Sequence, residues 1–287
     1  MDPNNNILNN LNNAQKEAVL NTEGPNLIVA GAGSGKTRVL TTKLAYIIQQ
    51  KKAWPNQILC VTFTNKAAKE MQNRVMSFLK GDKSAVSWLG TFHSISVKFL
   101  RRHAEALNFK SNFTIIDTED QKKLIKRISE AENIDAKKIS PGFILSFIDK
   151  WKNKGLLPNE VQKNNLSVLE KKISSVYTIY QNKIKDLNSL DFGDLILYCV
   201  KLFENNDDIR AIYQNNFKYI LVDEFQDTNF IQNKWLSLLV NKYSNICCVG
   251  DDDQSIYSWR GAEIKNFLTF DKMYPNCKIF KLEQNYR

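Results

Sequence analysis

The chain has 287 residues, 43% of them hydrophobic and 24% charged, with a formal net charge of +10. This length suits two domains, and the apolar content suits packed cores, which excludes a disordered chain. No apolar run reaches membrane-span length and the Asn-rich start lacks a signal peptide's apolar centre, so a cytoplasmic protein with no membrane contact is expected, while the basic excess favours a polyanionic partner.

In chain order, the first element is a short helix around Leu11 to Val19. Asn13 is the expected cap, and Gln15 carries an amide that donates and accepts at once, which suits the edge of an adenine. Asn26 to Val29 then reads as a buried parallel strand. It runs into Ala30-Gly31-Ala32-Gly33-Ser34-Gly35-Lys36-Thr37, and a helix follows with Leu40, Leu44, Ile47 and Ile48 on one face. Strand, glycine-rich turn and helix start are the context of a phosphate-binding loop. Its backbone N–H groups can wrap a phosphate chain, and the helix dipole adds to the same point. Lys36 is expected at the β- and γ-phosphates, and the Thr37 hydroxyl at Mg²⁺.

Gln57 to Thr64 is a second strand, with Thr64 as the cap of the next helix, and Val86 to Ser94 is a third strand ending in a polar turn. Strand and helix alternate here as in a parallel α/β sheet, whose ligands collect at the carboxyl ends of the strands. Phe63, Thr64, Thr91 and His93 lie at those ends. Residues 97–205 change character: they are helical, Lys-rich and nearly free of glycine, with Phe113 to Ile116 as a possible strand and Pro141 and Pro158 as helix punctuation. They read as a second domain inserted into the first.

The sheet resumes at Tyr219 to Val222 and ends on Asp223-Glu224-Phe225-Gln226-Asp227. Asp223 suits Mg²⁺, directly or through water, and Glu224 can act as base toward a water attacking a γ-phosphate. Asn245 to Val249 is another strand, and it runs into Gly250 to Ala262. The acidic start of that segment and Gln254 belong to the nucleotide side. Tyr257, Trp259 and Arg260 could face a bound nucleic-acid strand, with Trp259 as a stacking plate. Lys278 to Leu282 is the last strand, and Glu283 to Arg287 end the chain. The cysteines, Cys60, Cys199, Cys247, Cys248 and Cys277, lack metal-ligand spacing and read as reduced thiols.

This ordered set resembles the UvrD/PcrA/Rep family of superfamily 1A DNA helicases. The matching stretches are Leu11 to Gln15, Ala30 to Thr37, Thr62 to Met71, Gly90 to Ser94, Val222 to Thr228, Val249 to Ala262 and Leu282 to Arg287. Leu190-Asp191-Phe192-Gly193-Asp194-Leu195 also resembles a family element, which often has Asp where Gly193 stands. The resemblance implies an α/β fold: a RecA-like P-loop parallel sheet with helices on both faces, plus an inserted, mostly α-helical subdomain. Domain 1A would comprise residues 1–96 and 206–280, domain 1B residues 97–205, and residues 281–287 would start a second lobe.

Further roles are implied position by position. Gln15 would contact adenine, and the loop Ala30, Gly31, Ala32, Gly33, Ser34, Gly35, Lys36, Thr37 and Arg38 would bind ATP. Thr37 and Asp223 would hold Mg²⁺, and Glu224 would be the base. Gln254 would sense the γ-phosphate, Tyr286 would stack near the adenine, and Arg287 would act as an arginine finger. Single-stranded DNA would cross Phe63, Thr91, His93, Tyr257, Trp259 and Arg260. The family walks 3′ to 5′ on single strands, opens single-/double-strand junctions, and serves processes such as DNA repair. Its second RecA-like lobe (domains 2A and 2B) is expected but absent here, so one lobe alone is not expected to step. The alternatives are an ATP-gated single-strand-binding module without unwinding activity, and the ATPase lobe of a helicase–nuclease subunit.

Overall fold

The computed structural model describes residues 7–79, 87–135, 138–241, 243–251, 253 and 264–286. In chain order the elements are α1 (Asn13–Leu20), β1 (Asn26–Ala30), α2 (Lys36–Gln49), β2 (Ile58–Thr62), α3 (Asn65–Phe78), β3 (Leu89–Thr91), α4 (Phe92–Arg102), β4 (Thr114–Ile115), α5 (Thr118–Ala131), α6 (Pro141–Asn153) and α7 (Pro158–Val161). There follow α8 (Val168–Asp186), β5 (Ser189–Leu190), α9 (Phe192–Asn205), α10 (Asp207–Asn216), β6 (Tyr219–Val222), α11 (Phe230–Leu239), β7 (Ile246–Gly250), α12 (Ile264–Leu268), α13 (Phe270–Met273) and β8 (Lys278–Leu282). The chain divides into two compact units, residues 1–95 with 206–287, and residues 96–205.

The first unit is built on a sheet of order β3-β2-β6-β7-β1-β8, parallel at every pairing among the described residues. β2, β6 and β7 are buried along their whole length, as apolar runs must be when helices cover both faces of a parallel sheet. α2 lays Val39, Leu40, Leu44 and Ile47 against Ile28, Cys60, Leu221 and Val249 in one core. Each such side chain contributes roughly 1.5–3 kcal/mol of hydrophobic stabilisation. Cys60, Cys199, Cys247 and Cys248 are buried free thiols, as expected. No helix among the described residues is long and apolar enough to cross a membrane.

Three local expectations are corrected. The cap of α1 is Asn12, not Asn13: its Oδ1 accepts from the Gln15 N–H at 2.8 Å, and Gln15 Oε1 accepts from the Asn12 N–H at 3.1 Å. This reciprocal pair satisfies two N–H groups that the first helical turn leaves open. The third strand is only Leu89–Thr91, and Phe92 and His93 already belong to α4 rather than to a polar turn. Thr91 and Ser94 close that helix start: Thr91 Oγ1 accepts from the Ser94 N–H at 3.2 Å and Ser94 Oγ from the Thr91 N–H at 2.9 Å. Finally, Lys281 and Leu282 complete β8 opposite Val29 and Ala30, so a boundary at residue 280 falls inside a strand.

The second unit holds α5 to α9 and the short parallel pair β4–β5. Ile125, Ile128, Ile144, Ile148, Ile173, Val176 and Ile184 form its core. Asp117, Ser140 and Ser167 cap three of its helices, and Pro141 and Pro158 stand at first helical positions, where a missing N–H is harmless. Its centre is ionic: Lys152 Nζ lies 2.6 Å from Asp191 Oδ2 and 2.7 Å from Asp194 Oδ1, all three side chains fully buried. Tyr180 donates to Asp191 at 2.7 Å and Gln181 to Asp194 at 3.0 Å. A Cβ on Gly193 would stand 2.9 Å from Lys152 Cδ, so the glycine makes room for the lysine stem.

Candidate nucleotide-binding site

The sheet order brings the carboxyl ends of β1, β7 and β6 side by side, although residues 30, 223 and 251 are far apart in sequence. β1 ends at Ala30 and the chain turns through Gly31 to Gly35 into α2. Gly35 has φ +88° at the N-cap, and a Cβ there would meet Gln15 Nε2 at 2.9 Å. Only glycine combines that backbone with that clearance. Ser34 is tied back by its N–H and Oγ to the Gly31 carbonyl, at 3.2 and 2.7 Å.

Lys36 opens α2 and points its ammonium at two carboxylates, Glu224 Oε2 at 3.4 Å and Asp251 Oδ2 at 3.8 Å. Glu224 follows β6 and Asp223 with φ 51°, a left-handed backbone that costs a non-glycine residue free energy and aims its side chain at Lys36. Asp223 is 2% exposed, and its Oδ1 has no hydrogen-bond partner. Burial, and then the neighbouring Glu224 charge, pushes its carboxyl up to about 7. Thr62 Oγ1 at the end of β2 is also buried without a partner. A buried carboxylate oxygen facing nothing suits a hard cation, and no group of three or more His, Cys, Asp or Glu forms a cage among the described residues. That donor set fits Mg²⁺, which keeps water and phosphate ligands of its own, with Thr37 half-buried on the first turn of α2.

Two residues without a role of their own in the sequence reading complete the cluster. Asp251 is 3% exposed and is the second counter-ion of Lys36. Gln226, 1% exposed, donates from Nε2 to Glu224 Oε2 at 2.8 Å and accepts on Oε1 from the Asp251 N–H at 3.1 Å. Asp251 was legible only as part of an acidic run, and nothing in the sequence marks Gln226 off from a solvated glutamine.

The expected adenine side gathers at the other end of the loop. Tyr286 is half exposed, and its N–H donates to the Gly33 carbonyl at 3.0 Å. Its hydroxyl accepts from Asn12 Nδ2 at 2.8 Å, a contact across 274 positions of sequence. Gln15 lies beneath: its Nε2 donates to the Ser34 carbonyl at 2.8 Å while its Oε1 serves the α1 cap, and it is 1% exposed. Here Gln15 braces the loop, with one N–H and one lone pair of its amide left over but almost no exposed surface to offer a base edge. Arg38 is exposed on the next turn of α2.

Phe63 and Thr91 lie at the ends of the paired strands β2 and β3, on the same carboxyl edge as the acidic cluster. Phe63 is half-buried, with its ring edge-on to Phe92 at 5.6 Å. Thr91 is 6% exposed and its hydroxyl serves the α4 cap, so little of it faces outward. Burial pushes the half-buried His93 imidazole down from its usual range, which keeps it neutral at pH 7. Gln254, Tyr257, Trp259, Arg260 and Arg287 lie outside the described residues.

Comparison with known proteins agrees with this geometry. The ATP-dependent DNA helicases PcrA of Staphylococcus aureus (strains Mu50 and COL) and of Staphylococcus epidermidis (strain RP62A) are each 48% identical to this chain over 281 residues, 98% of its length. The chain spans only 38% of the length of those relatives. A family profile described as the UvrD/REP helicase N-terminal domain matches residues 11–275. With the phosphate loop on β1, the acidic pair on β6 and that match over nearly all of its residues, the chain belongs to the UvrD/REP helicase family, of which it carries the N-terminal domain.

Proposed function

We propose that this chain is the ATP-binding part of an ATP-dependent DNA helicase that moves 3′ to 5′ on single-stranded DNA. One observation carries the reading: Lys36 holds its ammonium between Glu224 and Asp251, beside the unpartnered oxygen of buried Asp223. The pattern is a charged cradle for a phosphate chain and a metal, completed at one sheet edge.

In this reading Gly31 to Thr37 and Arg38 bind the triphosphate. Tyr286 covers the base near Asn12 and the Gln15 brace. Asp223 and Thr37 hold Mg²⁺, which when bound supplies positive charge to the β- and γ-phosphate oxygens. Glu224 takes a proton from the attacking water as the water oxygen bonds to the γ-phosphorus. The bridging P–O bond to the β-phosphate breaks, leaving ADP and phosphate.

DNA is assigned to the carboxyl ends of β2 and β3, through Phe63 and His93 with a small contribution from Thr91, and to Tyr257, Trp259 and Arg260. Gln254 and Arg287 are assigned to the γ-phosphate, and a second lobe (domains 2A and 2B) closes the site. That the similar PcrA proteins are ATP-dependent DNA helicases supports ATP dependence and DNA as substrate. The test is ATP-analogue binding by this chain, followed by ATP hydrolysis with and without single-stranded DNA and strand displacement on 3′- and 5′-tailed duplexes by the complete gene product. Binding, DNA-stimulated turnover and displacement from the 3′ tail are expected. Absence of ATP binding, or displacement only from the 5′ tail, would overturn the reading.

A further inference from the structure

We infer that Gln226 is a positioning residue for Glu224, fixing its carboxylate to the backbone that leaves β7. The inference rests on the reading of Glu224 as the base in ATP hydrolysis.

The geometry leaves this side chain little freedom. Gln226 is 1% exposed and lies between two segments of the site. On one side its Nε2 donates to Glu224 Oε2 at 2.8 Å, with Asp227 Oδ2 farther off at 3.5 Å. On the other its Oε1 accepts from the Asp251 N–H at 3.1 Å. Turned over, the amide would set its oxygen against a carboxylate and its NH₂ against an N–H, like against like at both ends. Glutamate in its place could serve Asp251 but would repel Glu224, and an apolar chain could serve neither. The site is also cut to its shape. A Cβ on Gly250 would stand 2.5 Å from Gln226 Oε1 and 2.7 Å from a Phe267 ring carbon, so the backbone at the end of β7 comes as close as glycine allows.

Glu224 needs such a holder. Its backbone is left-handed, and its other partner is the Lys36 ammonium at 3.4 Å. When a triphosphate draws Lys36 away, the Gln226 amide is the remaining contact that keeps the carboxylate aimed. Through this one side chain the Glu224 carboxylate is tied to the backbone at the end of β7.

The test uses the complete gene product with Gln226→Met and Gln226→Glu, reading kcat and KM for ATP, affinity for a fluorescent ATP analogue, and urea stability. The expected result is a fall in kcat of about ten- to a hundredfold, as for a reacting group displaced by a fraction of an ångström to one ångström. KM and analogue affinity stay within about threefold, because no phosphate contact is removed. Gln226→Glu shows the same fall, because it sets another carboxylate beside Glu224 where the amide donor stood. Unchanged kcat, or analogue affinity falling in step with urea stability, would each overturn the inference. Glu224→Gln separates the two readings. If it retains turnover, the base assignment fails and this inference with it. If it is inactive while Gln226→Met is fully active, this inference alone fails.

Discussion

Asp223 shows how one residue trades stability against chemistry. Its carboxyl is buried, unpartnered and pushed up to about 7, against an ordinary value near 3.9. The folded state therefore holds this proton more tightly than the unfolded chain, so the contribution of Asp223 to stability is fully present below pH 4 and is lost as pH rises through 7. Asp223→Asn, without nucleotide or metal, should be more stable than wild type at pH 8 by roughly 2–4 kcal/mol, with the gap closing toward pH 4. Urea unfolding at several pH values checks this, and an equal gap at all pH values would contradict it. The same variant should lose Mg²⁺-dependent ATP turnover. Lys36 works in the opposite sense. Lys36→Ala leaves Glu224 and Asp251 without their shared cation and removes the phosphate contact. ATP binding should be lost while single-strand affinity changes little, as titration with a labelled analogue and a labelled oligonucleotide will show.

At the scale of elements, the ionic centre of the second unit is the sharpest case. Lys152 joins the end of α6 to the Asp191 and Asp194 pair at the start of α9. Burial disfavours the charge on Lys152, but the two carboxylates outweigh it and hold its ammonium above the usual range. Burial and the Asp191 charge together push Asp194 up to about 7. Lys152→Met should cost about 3–5 kcal/mol, because it strands buried carboxylates, while adding Asp191→Asn and Asp194→Asn should recover part of that loss. Thermal unfolding of the single and triple variants decides it; equal loss in both would place the cost in packing. Elements like these also show what the sequence could and could not reveal. The strands were legible because a parallel sheet buried on both faces leaves uninterrupted apolar runs, as at Tyr219–Val222 and Ile246–Gly250. The phosphate loop and the Asp223-Glu224 pair were legible because their chemistry fixes residue type at fixed spacing. The α1 cap, the brief β3 and the Gln226 bridge were not. Each depends on which of several adjacent polar side chains finds a partner, a choice made by three-dimensional packing.

For the molecule as a whole, the net charge of +10 meets the reading of single-stranded DNA as partner. Affinity for single strands should fall steeply with salt, with a slope of about −0.7 per phosphate neutralised, and a flat slope would exclude the basic surface as the DNA path. The sheet order has a separate consequence for synthesis. Of the strands made in the first 95 residues, only β2 and β3 pair with each other, while β1 takes its neighbours from β7 and β8, and β2 its second neighbour from β6. All three of those partners leave the ribosome after the whole of the second unit. The emerging chain therefore carries three unsatisfied strand edges, both of β1 and one of β2, through the translation of more than a hundred residues, a state open to aggregation and to chaperone capture. The second unit, whose core is made of its own residues, can fold during that wait.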